Sequence, residues 1–208
     1  MKILIISMDN STYGKKNKEG QMVQSRSQEV YLAECFAKLG HIITLVVNHI
    51  PYWEENEKPE NLSVIVADVN GKIDTEKIGE ILSHKYDLCF CTSISGAEII
   101  NHVAKEQKIP SVTQVLDIPE FRLTPLWKSI GHDIWDKQWE YYFNHLQQSD
   151  FIVANTLPCK NSLLKRGFDE KKIFLTYYGM DCDLCDKTPE QVKVFDIAYV
   201  CRLVWYKG

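Results

Sequence analysis

No apolar run in this 208-residue chain approaches the ~20 residues that a membrane-spanning helix needs. Surplus positive charge is missing as well. The 24 Lys and Arg stand against 28 Asp and Glu, a net charge of -4, so the overall electrostatics exclude nucleic acid as an expected partner. A secretory signal is not expected. The apolar stretch Met1–Met8 is short, no small-residue cleavage site follows it, and Asp9 comes at once. The seven cysteines are odd in number, and with no such signal they favour reduced thiols in a cytoplasm. Neither G-x-G-x-x-G nor G-x-x-x-x-G-K-[ST] occurs, which leaves a dinucleotide or P-loop reading without support. Metal-ligand spacing is also lacking. Cys182-x-x-Cys185 and Cys89-x-Cys91 are close thiol pairs, but they lie far apart, and His41, His84, His102, His132 and His145 show no matching spacing. Cys89 and Cys91 read instead as buried strand positions. No metal and no cofactor is expected.

What the chain does have is the composition of an ordinary soluble domain, 45% hydrophobic and 25% charged, with enough length for a substantial core. Lys2–Met8 reads as an apolar run, continuous from Ile3 to Ile6, as expected of a strand covered on both faces. A polar loop, Asp9–Gly20, follows. Val30, Ala33, Phe36, Ala37 and Leu39 recur at helical spacing, and Gly40 suits the helix stop. Strands are expected at Ile42–Val47, Leu62–Ala67, Asp87–Cys91, Ser111–Leu116, Phe151–Ala154 and Ile173–Thr176. Helices are expected at Thr75–Ser83, Ala97–Lys105, Asp133–Gln148 and Thr156–Arg166, with Gly167 as a stop.

Strand and helix alternate, which means βαβ units and a mainly parallel, doubly wound sheet of about seven strands with helices on both faces. A ligand in such a Rossmann-like α/β sheet sits beyond the carboxyl ends of the strands. Those ends are Asp9–Gly20, Thr92–Gly96, Leu116–Arg122 and Asn155-Thr156. Asp186–Val192 is polar and carries Pro189, the character of a linker. Phe195–Gly208 is an apolar strand running into a basic loop closed by Gly208, the way a phosphate site opens in α/β domains. The expected organisation is one lobe over 1–185. Residues 186–208 would then be a linker and the first strand of a second domain that is missing.

Five blocks occur in order. They are Leu32-Ala33 with Leu39-Gly40-His41, Ile109-Pro110 before a strand, Ser149–Thr156, Tyr178-Gly179-Met180-Asp181, and Cys201-Arg202-Leu203 with Lys207-Gly208. Together they resemble the family-four retaining glycosyltransferases of the GT-B fold, over essentially the whole chain. The resemblance implies transfer of a sugar from a nucleotide-sugar to a glycan or lipid-linked acceptor, in a cleft between two lobes. This chain would be the N-terminal, acceptor-side lobe. Arg202 and Lys207 match the pair that holds the donor diphosphate, and fixed cations suit the charge that develops there. Cys201 stands where the family has Gly. Asp117 matches the acid of a His-Asp pair whose His position is Leu116, and it becomes the candidate catalytic residue. The first loop, with Gly20, Ser25 and Arg26, matches the cleft-lining segment and is assigned to the acceptor.

Each assignment has a plainer alternative. Arg202 and Lys207 also read as an exposed basic loop. Gly20, Ser25 and Arg26 belong equally to a lysine-bearing surface loop, and Asp117 equally to a turn cap. Phe121 and Trp127 are loop aromatics suited to stacking on an acceptor sugar, or with Arg122 and Lys128 to a peripheral membrane contact. Trp135, Trp139 and Tyr142 share one helical face and are assigned to the core. His132-Asp133 opens that helix, and Asp133 suits a cap. The expected protein is thus an incomplete cytoplasmic glycosyltransferase, inactive alone. Its donor half would belong to an excised remainder or to a separate chain. The alternative is a non-catalytic lobe that binds a glycan or a protein.

Overall fold

In the computed structural model, residues 1–7, 14–16, 22–24, 28–48, 50–51, 53, 57–66, 75–92, 94–119 and 133–177 are described. The main sheet contains β1 (Lys2–Ser7), β4 (Ile42–Val47), β6 (Leu62–Val66), β7 (Leu88–Cys91), β8 (Ser111–Val115), β9 (Phe151–Ala154) and β10 (Ile173–Leu175). Its order is β10-β9-β8-β7-β1-β4-β6, and every pairing is parallel. The expectation of a parallel, doubly wound α/β sheet of about seven strands therefore holds. The order runs outward in both directions from β1, so the winding reverses between β1 and β7.

Three short strands form a second sheet. β2 (Gly14–Lys16) pairs antiparallel with β3 (Met22–Gln24), which pairs parallel with β5 (Ile50–Pro51). The stretch read from sequence as a featureless polar loop thus contains a strand. Strands of two or three residues carry no periodic signal, and β5 lies some 27 residues from its partner β3.

The helices are α1 (Gln28–Lys38), α2 (Thr75–Ser83), α3 (Ala97–Gln107), α4 (Asp133–Leu146) and α5 (Leu157–Lys165). β1 explains how they are layered. Ile3 and Ile5 pack with Val30, Ala33 and Ala37 of α1, whereas Leu4 and Ile6 pack with Ile81 of α2 and Ile100 of α3. Alternation sends successive side chains to opposite faces, so a strand roofed on both sides must be apolar at each position. A third cluster joins α4 and α5 to the far end of the sheet, through Leu146, Ile152, Cys159 and Leu163. Each fully buried Leu or Ile contributes about 1.5–3 kcal/mol relative to exposure.

Helix stops follow the glycines. Gly40 has φ of 85°, its amide donates to Ala37 O at 2.9 Å, and His41 N donates to Phe36 O at 3.1 Å. Gly167 repeats the arrangement with φ of 82°, Leu164 and Leu163 accepting. Both are left-handed caps that return the chain toward a strand. The α3 stop uses Lys108 in the same left-handed conformation, φ 56° and ψ 47°.

A buried polar chain crosses the fold. Asn101 Nδ2 donates to His145 O at 2.8 Å, and Ser149 Oγ donates to Asn101 Oδ1 at 3.2 Å. That bond uses the single hydroxyl proton of Ser149, so Thr113 donates across the 2.8 Å contact to Ser149 Oγ. Cys91 Sγ in turn donates to Thr113 Oγ1 at 3.5 Å. Four elements are joined by donors that all run in one direction.

Candidate functional site

The reversal of winding between β1 and β7 defines a crevice at the carboxyl ends of the strands, the place where open α/β sheets receive ligands. Small polar residues stand there in place of the apolar core. Ser7 ends β1, Asn48 follows β4, Thr92 follows β7 and Asn155 follows β9, and all four are buried. Asn155 Nδ2 donates to Leu116 O at 3.3 Å, tying the β8 and β9 ends together. Glu29, in the first turn of α1, is buried as well.

At the reversal itself, a short 3-10 turn, Ile94–Gly96, leads directly into α3. Gly96 takes the N-cap place and supplies no side-chain cap to the amides of the first turn. An α-helix start carries unpaired N–H groups and partial positive charge, so it receives anionic or hydroxyl oxygens. Gly96 also presses against Ile6 and Cys91, leaving no room for a β-carbon. The helix start is therefore seated directly over the ends of β1 and β7. The α5 start differs: Thr156 accepts from Cys159 N at 3.3 Å and so occupies its own cap.

Asp117 lies two residues beyond β8, at this same carboxyl side, and is half-buried. Its Oδ1 accepts the amide of Ile118 at 3.0 Å, a local turn contact. The acids at the opposite, amino-terminal edge are engaged in structure. Asp87 Oδ2 accepts Lys2 N at 2.7 Å, and Asp150 Oδ2 accepts both the amide and hydroxyl of Ser111 at 2.9 and 3.1 Å. Carboxylates at the amino edge thus bind strand starts, whereas Asp117 stands at the carboxyl edge.

Of the candidate catalytic, donor-binding and acceptor-binding residues read from sequence, only Asp117 falls in the described part. Gly20, Ser25, Arg26, Phe121, Trp127, Arg202 and Lys207 lie outside the described residues, as do Arg122, Lys128, His132, Cys182, Cys185 and the proposed linker. Gly20 lies between β2 and β3 in sequence, and Ser25 and Arg26 between β3 and α1. Cys89 and Cys91 are buried strand positions, as expected, and neither they nor Cys35 and Cys159 form a disulfide. Among the described residues no group of His, Cys, Asp and Glu could hold a metal ion. No described helix is long and apolar enough to cross a membrane. Sequence reasoning named Thr92–Gly96 as a strand end but gave Gly96 no role. A glycine between an apolar strand and a helix is the signal that marked it.

These features define a Rossmann-like α/β fold whose winding reverses at the β1/β7 pair. No protein-family profile matches the chain, and no curated protein matches it by sequence. Solved structures do match in fold. Alr3699/HepE from Anabaena, in complex with UDP-glucose, has a TM-score of 0.57 and 14% identity over 88% of this chain and 45% of its own. Sucrose-phosphate synthase from Thermosynechococcus elongatus has a TM-score of 0.54 and 14% identity, over 88% of this chain and 49% of its own. Both neighbours are glycosyltransferases of the GT-B fold. The chain thus spans about half the length of the structures it matches, and the likeness is one of fold.

Proposed function

We propose that this chain is the acceptor-side lobe of a retaining glycosyltransferase that moves a sugar from a nucleotide-sugar to a glycan or lipid-linked acceptor. The observation that supports the reading is the fold, a seven-stranded parallel sheet that matches HepE and sucrose-phosphate synthase, with the α3 start seated on Gly96 at the β1/β7 reversal. HepE has been crystallised with UDP and glucose, which supports a nucleotide-sugar as the donor class. The donor lobe would come from further polypeptide, covalently linked or separate.

In this reading the protein positions two sugars and stabilises a departing diphosphate. Arg202 and Lys207 would grip the diphosphate, Arg in a bidentate manner and Lys as a point charge. Asp117 would accept a hydroxyl of the acceptor and orient it. Gly20, Ser25 and Arg26, with the loop aromatics Phe121 and Trp127, would line the acceptor side. Peripheral contact with a lipid surface through the same loop fits a lipid-linked acceptor.

The test is calorimetric titration of the 208-residue chain with oligosaccharide acceptors, beside a transfer assay with UDP-glucose. Acceptor binding without turnover is expected. Sugar transfer by the purified chain alone would overturn the proposal.

A second reading, a lobe that binds a glycan without catalysis, draws on the Asp117 carboxylate's local bond to Ile118. Donor-lobe addition separates the two, because only the first reading gains transfer.

A further inference from the structure

We infer that Glu29, Ser7 and Thr92 form the hydroxyl-recognition point of the strand-end crevice, where a carboxylate and two hydroxyls take a neighbouring pair of sugar hydroxyls. The inference rests on the reading of this crevice as a sugar-binding edge, and it names residues for that role.

Register and helix phase bring the three together. Ile3 and Ile5 of β1 pack in the cluster on the α1 side, so Ser7, two residues on, turns to the same side. Phe90 of β7 belongs to that cluster too, and Thr92 continues its face. Thr92 N donates to Ile6 O at 3.5 Å, which extends the β1/β7 ladder by one step and sets Thr92 beside Ser7. α1 covers this side and runs antiparallel to the strands. Its far end returns at the amino edge, where Ile42 N donates to Met1 O at 2.9 Å, so its first turn lies at the carboxyl edge. Glu29 stands in line with Ala33 and Phe36, four and seven residues on, and Phe36 meets Phe90 edge-on at 6.5 Å. From that contact the helix rises about 10 Å to Glu29, and the strand about 7 Å to Thr92. Glu29 therefore overlooks the end of β7.

Ser7, Thr92 and Glu29 are only 4%, 2% and 6% exposed. Among the described residues none of the three side chains has a hydrogen-bond or ionic partner. Glu34, the other buried acid of α1, shows the contrast: Trp53 Nε1 donates to its Oε1 at 2.7 Å. A buried carboxylate and two buried hydroxyls without partners are costly to the free protein, and a ligand that bonds all three offsets that cost.

The chemistry of the set selects the ligand. The carboxylate accepts two O–H groups, and each hydroxyl both donates and accepts. Neighbouring hydroxyls of a sugar ring meet that demand. An anion would be repelled by Glu29. A cation is disfavoured as well, because Glu29 lies in the first turn of α1, where the helix dipole presents its positive end. An apolar ligand would leave all three groups unpaired.

Methyl glucoside, methyl mannoside and methyl galactoside are the probes, with glucosamine as the cationic control, titrated into the intact chain and followed by ligand-observed NMR. Saturable millimolar binding of at least one glycoside is expected. Glu29→Gln should weaken it about tenfold through loss of the charge-assisted bonds, and Thr92→Val by a smaller factor that Thr92→Ser restores. Glu29→Met should abolish binding yet raise the melting temperature of the free chain, which loss of a structural acid would lower. A lower melting temperature for Glu29→Met would overturn the inference. So would glucosamine binding more tightly than the glycosides, or no saturable binding up to on the order of 50 mM. Glycoside binding that the Glu29 variants leave unchanged would sink this assignment alone, with the sugar-binding crevice intact. Sugar transfer by the purified chain would sink the acceptor-lobe reading, while loss of binding in Glu29→Gln would still uphold the recognition point.

Discussion

Gly96 lies so close to Cys91 that a β-carbon on the glycine would meet Cys91 Cβ at 2.9 Å and Ile6 Cγ2 at 3.4 Å. Cys91 is fully buried on β7 and cannot yield. Gly96→Ala should therefore destabilise the protein by about 1–3 kcal/mol, the usual cost of overpacking a filled core. The φ of -84° at this position is ordinary for alanine, so the cost would be steric and not conformational. A lowered urea midpoint with an unchanged slope is the expected result.

Lys108 offers the opposite sign. It is the only non-glycine residue with positive φ among the described residues. Its side chain is exposed, and glycine relieves the left-handed conformation without removing a packed group. Lys108→Gly should stabilise the fold by about 0.5–1 kcal/mol, seen as a higher melting temperature.

The polar chain through Thr113 is open to an isosteric deletion. Thr113→Val keeps the volume but removes the hydroxyl that donates to Ser149 and accepts from Cys91. Both partners are buried, so the loss should be about 1–3 kcal/mol. Thr113→Ser, which keeps the hydroxyl, should recover part of it.

Alkaline pH should weaken the fold. Burial pushes the Cys89 thiol from 9.0 up to about 12 and the Tyr86 phenol from 10.0 up to about 12. The unfolded chain loses these protons first, so above pH 9 the folded state binds more protons than the unfolded one. Stability then falls with rising pH. The contribution of these groups is complete below about pH 9 and disappears as the pH climbs toward 12. Denaturant midpoints measured from pH 7 to 10.5 should decline only in the upper part of that range. Peptide mapping after alkylation at pH 8 should find Cys35, which is exposed, modified and Cys89 protected.

The sheet was legible from sequence because most of its strands are apolar over most of their length and most connections contain a helix-period segment. Boundaries moved by only one or two residues. Ala97–Lys105 extended to Gln107, and Asp133–Gln148 shortened to Leu146. Trp139, Tyr142 and Phe143 pack against the core, as their spacing implied. The small β2-β3-β5 sheet escaped notice because pairing over such short segments is decided by tertiary context. The crevice was legible as four strand ends, but its ordering was not. Which strands sit side by side depends on how Ile3 registers with Leu88, and no local pattern encodes that pairing. Gly96 was hidden for a similar reason, since its closeness to Cys91 and Ile6 exists only once β1 and β7 are neighbours.

That central pairing also dictates when the molecule can assemble. β1 is synthesised some 85 residues ahead of its β7 partner, the separation spanned by the Lys2 to Asp87 bond. Parallel strands cannot zip from a hairpin, and each pairing must close a long loop before any contact repays it. Until β7 has been synthesised, a nascent chain thus carries β1, apolar from Ile3 to Ile6, with one flank unclaimed. Chaperone dependence during synthesis should be greatest in that interval and should fall once β7 has emerged.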